Sequence, residues 1–372
     1  MDIAVVGAGP AGSFAAERLA RTGNPVTLYD PSHPREKPCG GGVTPGVFRR
    51  YPELRELRAI GRAAPAVRLR APGSECLRVE IPHPIDVFSR AALDGALLER
   101  ALRAGVELRA ARVRRVRVDR DAAWLDLDSA TTRHDFVIGA DGASSTVRRS
   151  LLGERPGLAR GMATAGFFVE GLFETELYVE FVADWPGYLW VFPRGDHASA
   201  GICAPVGVEN GLRLRERVLA MLEARYPGSL SLPRRAYGAS IPCAGRGNQV
   251  AGPRFALVGD AANAVDAITG EGIQHAIDGA ALLADTLANS GPLEAPSIYA
   301  RRWHDGNGRE LRWSAHLRAR LYRPATVRLA LRLAARSRRA KRVMADLLTM
   351  LQPYSGLPRR LLREAVPGPW SL

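Results

Sequence analysis

A glycine-rich turn near the amino terminus constrains the fold of this chain most strongly. Gly7-Ala8-Gly9-Pro10-Ala11-Gly12 lies between a short apolar run, Ile3 to Val6, and a helix predicted over Ala11 to Ala20. Asp30 ends the next predicted strand, 18 residues after Gly12. Such glycines allow a tight turn and the close approach of a pyrophosphate, while the acidic residue suits a ribose. The pattern predicts a Rossmann-like dinucleotide-binding domain but does not distinguish FAD from NAD.

Two further motifs follow predicted strands later in the chain. Ala140-Asp141-Gly142 comes after the apolar run FVIGA, and Gly259-Asp260-Ala261-Ala262 ends the run FALV. Thr269-Gly270-Glu271-Gly272-Ile273 then opens a predicted helix, whose free N–H groups can face an anion. In a flavin that anion would be the N1–C2=O region of the reduced ring, and Asp260 would bind the ribityl or phosphate side.

Together the three motifs resemble those of FAD-dependent oxidoreductases with the para-hydroxybenzoate hydroxylase fold. Lys37-Pro38-Cys39-Gly40-Gly41-Gly42 is similar to the Cys-Gly-Gly-Gly loop of the geranylgeranyl reductase family. Tyr188-Leu189-Trp190-Val191-Phe192-Pro193 is similar to that family's YxWxFP pattern. The resemblance covers Met1 to about Ile273. It departs from the usual third motif at Ala267, where a proline is common, and at Asn263, where a glycine is common.

The resemblance implies noncovalent FAD, NADPH or NADH as electron donor, and a set of site residues. Arg90, in the helix pattern RxxLD, would contact the FAD phosphates. Cys39, Tyr188 and Trp190 are the candidate catalytic residues, with Cys39 as proton donor or positioning group, or else a small packing residue. The expected cofactor-binding residues are Gly7, Gly9, Pro10, Ala11, Gly12, Asp30, Lys37, Cys39, Gly40, Gly41, Arg90, Asp141, Gly142, Asp260, Gly270, Glu271, Gly272 and Ile273. No metal site is expected.

The implied activity is reduction of carbon–carbon double bonds in a prenyl or similar hydrophobic substrate. Tyr188, Trp190 and Phe192 alternate along a predicted strand and share one face, which would form either an apolar cavity wall for that substrate or a hydrophobic stripe packed in the core. The alternative is an FAD-dependent monooxygenase, a hydroxylase or epoxidase acting on an aromatic or polyketide natural product. A halogenase is disfavoured because no lysine occurs between Lys37 and Lys341. A nonenzymatic flavin-dependent sensor is disfavoured by the complete motif set.

The fold class expected is α/β, with a second domain inserted into the first. Residues 161–206 are rich in aromatic and β-branched residues separated by turns, which favours an antiparallel sheet. We expect a three-layer FAD-binding domain, a mainly antiparallel substrate-binding domain and basic C-terminal helices. The FAD-binding domain is predicted to comprise residues 1–75, 85–160 and 245–300. The substrate-binding domain is predicted over 161–243, with 65–84 as a further candidate part. The basic C-terminal helices are predicted over 301–372.

The positive charge is concentrated at the C-terminal end. The net charge is +14, and residues 301–372 carry 17 Arg and Lys against four Asp and Glu. Basic amphipathic helices can lie on an anionic membrane, or they can simply present a solvated face. Nucleic-acid binding is disfavoured because no matching motif is present. Four scattered cysteines and the absence of a signal peptide or an apolar run of about 18 residues favour a cytoplasmic protein, with docking on the cytoplasmic membrane left open. The oligomeric state stays open.

Overall fold

The computed structural model describes residues 1–154, 161–244 and 248–365. The predicted boundaries at residues 160 and 245, and the end of the predicted C-terminal segment at 366–372, lie outside the described residues. Within these ranges the strands form three sheets, around which the helices pack.

The first sheet carries the glycine-rich turns. Its strands in the described part of the chain, numbered in chain order, are β1 (Ile3–Val6), β2 (Val26–Tyr29), β6 (Glu107–Arg109), β10 (Phe136–Gly139), β16 (Ala251–Gly252) and β17 (Phe255–Leu257). Their spatial order is β16-β17-β10-β1-β2-β6, and all neighbours are parallel except β16 and β17. The chain therefore winds first to one side of β1 and then to the other. At such a switch point, ligands bind beyond the carboxyl ends of the strands.

Helices and a small sheet cover this first sheet. The helices are α1 (Pro10–Arg21), α3 (Arg90–Arg103), α4 (Thr146–Leu152) and α6 (Ile273–Asn289). The small sheet contains β7 (Arg115–Val118), β8 (Ala123–Asp126) and β9 (Thr131–His134). Side chains of α1, α3 and α6 share one apolar core with β1, β2, β10 and β17, and Val116 and Leu125 of the small sheet belong to the same core. Ser89 caps α3, and its Oγ accepts a hydrogen bond from the Ala92 amide at 3.3 Å.

The second sheet is larger and mainly antiparallel. Its strands in the described residues are β3 (Gly42–Val43), β4 (Arg62–Arg70), β5 (Cys76–Val87), β11 (Met162–Glu170), β12 (Leu177–Phe181), β13 (Tyr188–Pro193), β14 (His197–Pro205) and β15 (Arg234–Ile241). Their order is β15-β11-β14-β13-β12-β4-β5-β3, and only the β12–β4 pair is parallel among those described. Helix α5 (Gly211–Arg225) packs against one face of this sheet through Leu214, Val218 and Leu222. The sheet thus draws on residues 42–87 as well as on the inserted segment.

The remaining helices lie mostly at the C-terminal end. They are α2 (Pro45–Arg50), α7 (Ala295–Asp305), α8 (Asn307–Leu321), α9 (Pro324–Arg336), α10 (Arg338–Leu348) and α11 (Leu357–Ala365). Val327 and Leu331 of α9 pack with β4 and β5, so the C-terminal helices cover that part of the second sheet. In the part of the chain that the structure describes, no helix has both the length and the apolar character needed to cross a membrane.

Candidate active site

The first glycine turn has the close backbone contacts that its motif predicts. Gly7 has a φ of +103°, and a Cβ there would lie 2.4 Å from the Ala140 carbonyl oxygen. A Cβ on Gly12 would lie 1.8 Å from the Gly7 carbonyl oxygen. Helix α1 begins directly after Gly9, with Pro10 as its first residue and no side chain capping it. Side chains are therefore excluded at Gly7 and Gly12, and the first amides of α1 remain available to a ligand.

Asp30 ties this turn to the loop that follows β2. Its carboxylate accepts hydrogen bonds from the amides of Ala8, Ser32 and His33, at 2.9, 2.8 and 3.0 Å. His33 Nδ1 lies 2.6 Å from Asp30 Oδ2. Burial alone would raise the pKa of Asp30, but these hydrogen bonds outweigh it and hold the pKa well below its usual range. Asp30 therefore stays ionised, and its oxygens are largely occupied within the chain.

Two cations lie next to the glycine turn. The Arg90 guanidinium donates two hydrogen bonds to Asp94, at 2.8 and 2.9 Å, and Asp94 is fully buried. Lys37 Nζ is 3.8 Å from Asp94 and would be 3.5 Å from a Cβ placed on Gly9. Burial and the neighbouring Arg90 charge lower the pKa of Lys37 to about 8. This corner of the crevice therefore carries positive charge beside the start of α1.

The second motif holds its own helix rather than presenting a free carboxylate. Asp141 accepts hydrogen bonds from Ser145 Oγ, the Thr146 amide and the Val147 amide, at 2.5, 2.6 and 3.2 Å. Gly142 has a φ of +78°, and no atom lies within 4 Å of a Cβ placed there. Gly142 therefore leaves open space at the end of β10.

The third motif forms a tight turn from β17 to α6. Helix α6 begins after Gly272, and the Glu271 carboxylate accepts a hydrogen bond from the Gln274 amide at 2.6 Å. The other oxygen of Glu271 is buried and has no hydrogen-bond partner among the described residues. Burial, followed by the negative charges of Asp278 and Asp266, raises the pKa of Glu271 to about 8. Asn263, which replaces a common glycine, has a φ of +53°, a conformation that asparagine tolerates better than most residues.

These residues fit FAD. The uncapped start of α1 offers amide donors, and Lys37 and Arg90 supply positive charge, which together are what a pyrophosphate requires. The turns after β1, β10 and β17 all lie at one end of parallel strands, so one extended cofactor can reach all three. The predicted cofactor residues of the three motifs are therefore brought together, although individual contacts with FAD remain predictions.

The Cys39 loop is fastened to the second sheet. The Cys39 carbonyl oxygen accepts hydrogen bonds from Arg194 Nη2 at 2.5 Å and from Ser199 Oγ at 2.8 Å. A Cβ on Gly40 would lie 2.6 Å from the Phe192 ring, and one on Gly41, at a φ of +83°, would lie 2.1 Å from the Phe88 carbonyl oxygen. The Cys39 side chain is partly exposed. The loop therefore lies between the flavin-binding crevice and the second sheet.

The aromatic strand presents one face to this loop, as its alternation predicts. Trp190 packs with Phe168, Tyr237 and the partly buried Tyr188 and Phe192, whereas Leu189 and Val191 belong to the core beneath α5. The Tyr188 and Trp190 rings are 5.9 Å apart. The Tyr188 hydroxyl donates to the Thr269 carbonyl, so this candidate residue bridges the aromatic face and the flavin turn.

Several residues of the site carried no clear signal in the sequence. The carboxylate that holds Arg90 is the aspartate of the RxxLD pattern, and this pattern could have revealed it. For the others no local signal exists, because each partner lies far along the chain. The residues concerned are Arg194, Ser199, Ser314, Tyr322 and Tyr354.

The chain is similar in sequence to a known protein family over its amino-terminal part and to known reductases over most of its length. Residues 1–171 match the family described as pyridine nucleotide-disulphide oxidoreductase. Geranylgeranyl diphosphate reductase of Synechocystis is 28% identical over 82% of the chain and 81% of that protein. Menaquinone reductase of Mycobacterium tuberculosis is 31% identical over 94% of the chain and 91% of that protein. The chain belongs to the geranylgeranyl reductase family of FAD-dependent oxidoreductases.

Solved structures confirm the fold of this family member. A geranylgeranyl bacteriochlorophyll reductase-like protein of Thermoplasma acidophilum matches with a TM-score of 0.74 and 20% identity, over 97% of the chain and 98% of that protein. A probable FAD-dependent monooxygenase of Pseudomonas aeruginosa matches with a TM-score of 0.68 and 22% identity, over 88% and 98%. At these identities the two structures show the fold alone. The predicted α/β flavoprotein fold, the enzyme class and the FAD cofactor are confirmed.

Proposed function

We propose that this reductase-family protein hydrogenates carbon–carbon double bonds in a prenyl chain, with NADPH or NADH as electron donor. Relatives named for menaquinone and for geranylgeranyl diphosphate support a substrate of this class. The observation that carries the proposal is the apolar face of β13, because Phe192 lies against Gly40 beside the crevice. An alkene resting on this face lies next to the flavin-binding loop.

The chain's residues serve the reaction by holding the alkene, excluding water and supplying a proton. FAD, held by the glycine turns with Lys37 and Arg90, would supply a hydride originating from NAD(P)H. One alkene carbon would gain this hydride and the other a proton, so the double bond would become a single bond and NAD(P)H would become NAD(P)+. Trp190 and Tyr237 are buried in the aromatic face, which keeps water from the reacting carbons.

Cys39 is the proposed proton source. Its Sγ accepts a hydrogen bond from the Gly41 amide at 3.3 Å, and its carbonyl is anchored by Arg194 and Ser199. We expect Cys39→Ala to slow formation of the saturated product by about 10²-fold or more, while NADPH still reduces the flavin at its normal rate. Cys76→Ala, at an exposed cysteine of β5, is the matched control. Equal turnover in the two variants would remove Cys39 from the mechanism.

The reaction type is tested by incubating the purified protein with NADPH and a prenylated lipid extract, with and without oxygen. A product two hydrogens heavier that forms without oxygen supports the reductase. A product one oxygen heavier that forms only in air supports the monooxygenase, the second candidate, which the P. aeruginosa structure favours at the level of fold. Mass spectrometry distinguishes the two products directly.

We further propose that the protein docks peripherally on the anionic face of the cytoplasmic membrane through α9. Leu329 and Leu333 are one helical turn apart and are 57% and 53% exposed, while Val327 and Leu331 face the second sheet. Arg332 and Arg336 are exposed on the same side of the helix as the two leucines. Exposed leucines flanked by arginines suit an anionic lipid surface, where each arginine contributes about 1 kcal/mol.

Vesicle flotation tests this docking. We expect binding to phosphatidylglycerol-containing vesicles to fall about tenfold or more when Leu329 and Leu333 are both changed to Gln, and also when Arg332 and Arg336 are both changed to Gln. Leu212→Gln is the matched control, since Leu212 is 65% exposed on α5. Two results would contradict the proposed docking. One is equal flotation of the wild type and all variants, and the other is equal binding of the wild type to anionic and to purely zwitterionic vesicles.

A further inference from the structure

The turn that joins β17 to α6 is held from outside by the C-terminal helices. Within the turn, the Asp266 carboxylate accepts hydrogen bonds from the amides of Ile268 and Thr269, at 2.8 and 2.7 Å. The Asp266 carbonyl also accepts a hydrogen bond from the Gly270 amide, and the Asp266 amide donates a hydrogen bond to the Glu271 carbonyl, both at 2.9 Å. The turn therefore has a defined shape, centred on a nearly fully buried aspartate.

Three side chains from residues 314–354 complete this arrangement. Ser314 Oγ of α8 accepts a hydrogen bond from the Ala267 amide at 3.1 Å. The Tyr322 hydroxyl, just after α8, donates to the Ile268 carbonyl at 2.5 Å. The Tyr354 hydroxyl donates to the Asp266 carboxylate at 3.2 Å. All three side chains are at least nine-tenths buried, so water does not compete for these hydrogen bonds.

These contacts account for the alanine at position 267. A proline there has no N–H and cannot donate to Ser314. The alanine keeps this donor, and the turn gains its rigidity from α8 instead of from a proline ring. Burial raises the pKa values of Tyr322 and Tyr354 well above their usual range, so both hydroxyls remain donors throughout the neutral and alkaline range.

We propose that Ser314, Tyr322 and Tyr354 are positioning residues of the flavin site. They hold residues 266–271 so that the amides at the start of α6 stay directed at the flavin. The C-terminal helices are thereby part of the cofactor site, whatever substrate the protein reduces. The inference goes beyond the proposed function because it concerns the flavin and not the alkene.

Two linked changes are expected when one of the three hydroxyls of Ser314, Tyr322 and Tyr354, here called the clamp hydroxyls, is removed. Fixed amides stabilise negative charge on the flavin, and the reduced flavin carries more of that charge than the oxidised form. Loosening the turn therefore weakens binding of reduced FAD more than of oxidised FAD. By thermodynamic linkage, the midpoint potential of the bound flavin shifts to a more negative value.

The experiment compares Tyr322→Phe, Tyr354→Phe and Ser314→Ala with Tyr299→Phe. The control residue is a fully buried tyrosine of α7 whose hydroxyl donates to the Leu257 carbonyl of β17 at 2.8 Å, rather than to residues 266–271. We expect each clamp variant to raise the dissociation constant of oxidised FAD about two- to tenfold and to lower the midpoint potential. Tyr299→Phe leaves both unchanged while losing similar thermal stability.

Two outcomes overturn the proposal. In the first, the clamp variants and Tyr299→Phe lose the same stability and keep wild-type FAD affinity and potential. In the second, FAD affinity falls by the same factor in the clamp variants and in Tyr299→Phe, which indicates general loosening of the fold. Both readouts are independent of substrate, so they hold even if the alkene chemistry proves wrong.

Discussion

Arg194 is the buried cation that connects the Cys39 loop to the second sheet, and its removal tests how the loop is held. Its guanidinium pairs with Glu36 and donates to the Cys39 carbonyl, and the residue is 1% exposed. In Arg194→Met the Glu36 carboxylate, whose side chain is only 14% exposed, loses its charged partner. Unpaired buried charges cost about 3–5 kcal/mol. Because Glu36 keeps hydrogen bonds from Ser89 and the Ala91 amide, we expect a loss of about 3 kcal/mol in the free energy of unfolding at pH 7.

The loss should depend on pH in a defined direction. Burial would raise the pKa of Glu36, but in the wild type the Arg194 charge and the hydrogen bonds from Ser89, the Ala91 amide and Arg194 together outweigh it and keep the pKa below its usual value. The ion pair therefore stabilises the wild type above the ordinary glutamate range, and this stabilisation is lost as pH falls through the lowered pKa. Without Arg194, burial dominates and the pKa of Glu36 rises, so the carboxylate takes up a proton in mildly acidic solution. The difference between wild type and variant should therefore be largest at pH 7 and narrow towards pH 5.

The assay is urea unfolding of the FAD-bound protein at pH 7 and pH 5, combined with the rate at which iodoacetamide labels Cys39. Arg235→Met is the matched control, since the exposed Arg235 lies over the same Phe168 ring, 5.3 Å from its centre, as Arg194 does at 5.1 Å. We expect the control to lose less than about 1 kcal/mol. Cys39 should label faster only in the Arg194 variant, and Cys76 equally in all. Equal losses in the two variants, or a deficit that does not change with pH, would refute the reasoning.

Two further predictions concern the glycine turns and the flavin-side carboxyl group. Gly12→Ala should yield colourless protein, because the new Cβ would fall 1.8 Å from the Gly7 carbonyl oxygen; the absorbance ratio at 450 and 280 nm checks this, and a yellow variant contradicts it. Glu271 has a folded pKa of about 8 against an ordinary value of 4.5, so the folded state binds the extra proton and stability falls as pH rises between these values. Glu271→Gln should flatten this decline while keeping the hydrogen bond from the Gln274 amide; unfolding curves at pH 5 and pH 8 that differ as much as in the wild type would show that Glu271 is not the group responsible.

Local patterns predicted the parts of the site whose geometry is set by a few consecutive residues. The turns at Gly7, Gly142 and Gly270 all have positive φ values, and spacing reveals them because only glycine adopts such angles freely. The shared face of Tyr188, Trp190 and Phe192 follows from the period of a strand. The alternating aromatic and β-branched residues also predicted the antiparallel strands that begin with β11.

Contacts between distant segments could not be predicted in this way. Arg194 and Cys39 are 155 residues apart, and Tyr354 and Asp266 are 88 apart. An arginine or a tyrosine in a strand or loop has the same local pattern whether it contacts solvent or a backbone carbonyl. Only the packing of the second sheet and of the C-terminal helices against the flavin end of the first sheet decides between these possibilities.

The strand order of the first sheet also governs when the protein can fold. β1 is made first, yet it occupies the centre of the sheet between β2 and β10, and β17 follows about 250 residues later. At about 5–20 residues per second, a ribosome needs roughly 12 to 50 seconds to cover that distance. Both neighbours of β1 are complete by residue 139, but β10 lacks its partner β17 for the rest of this time, and its open edge is exposed to chaperones and to other nascent chains. FAD meets a complete site only after β17 and the start of α6 have been made, so flavin supply at that late moment governs how much of the newly made protein is captured in its native form.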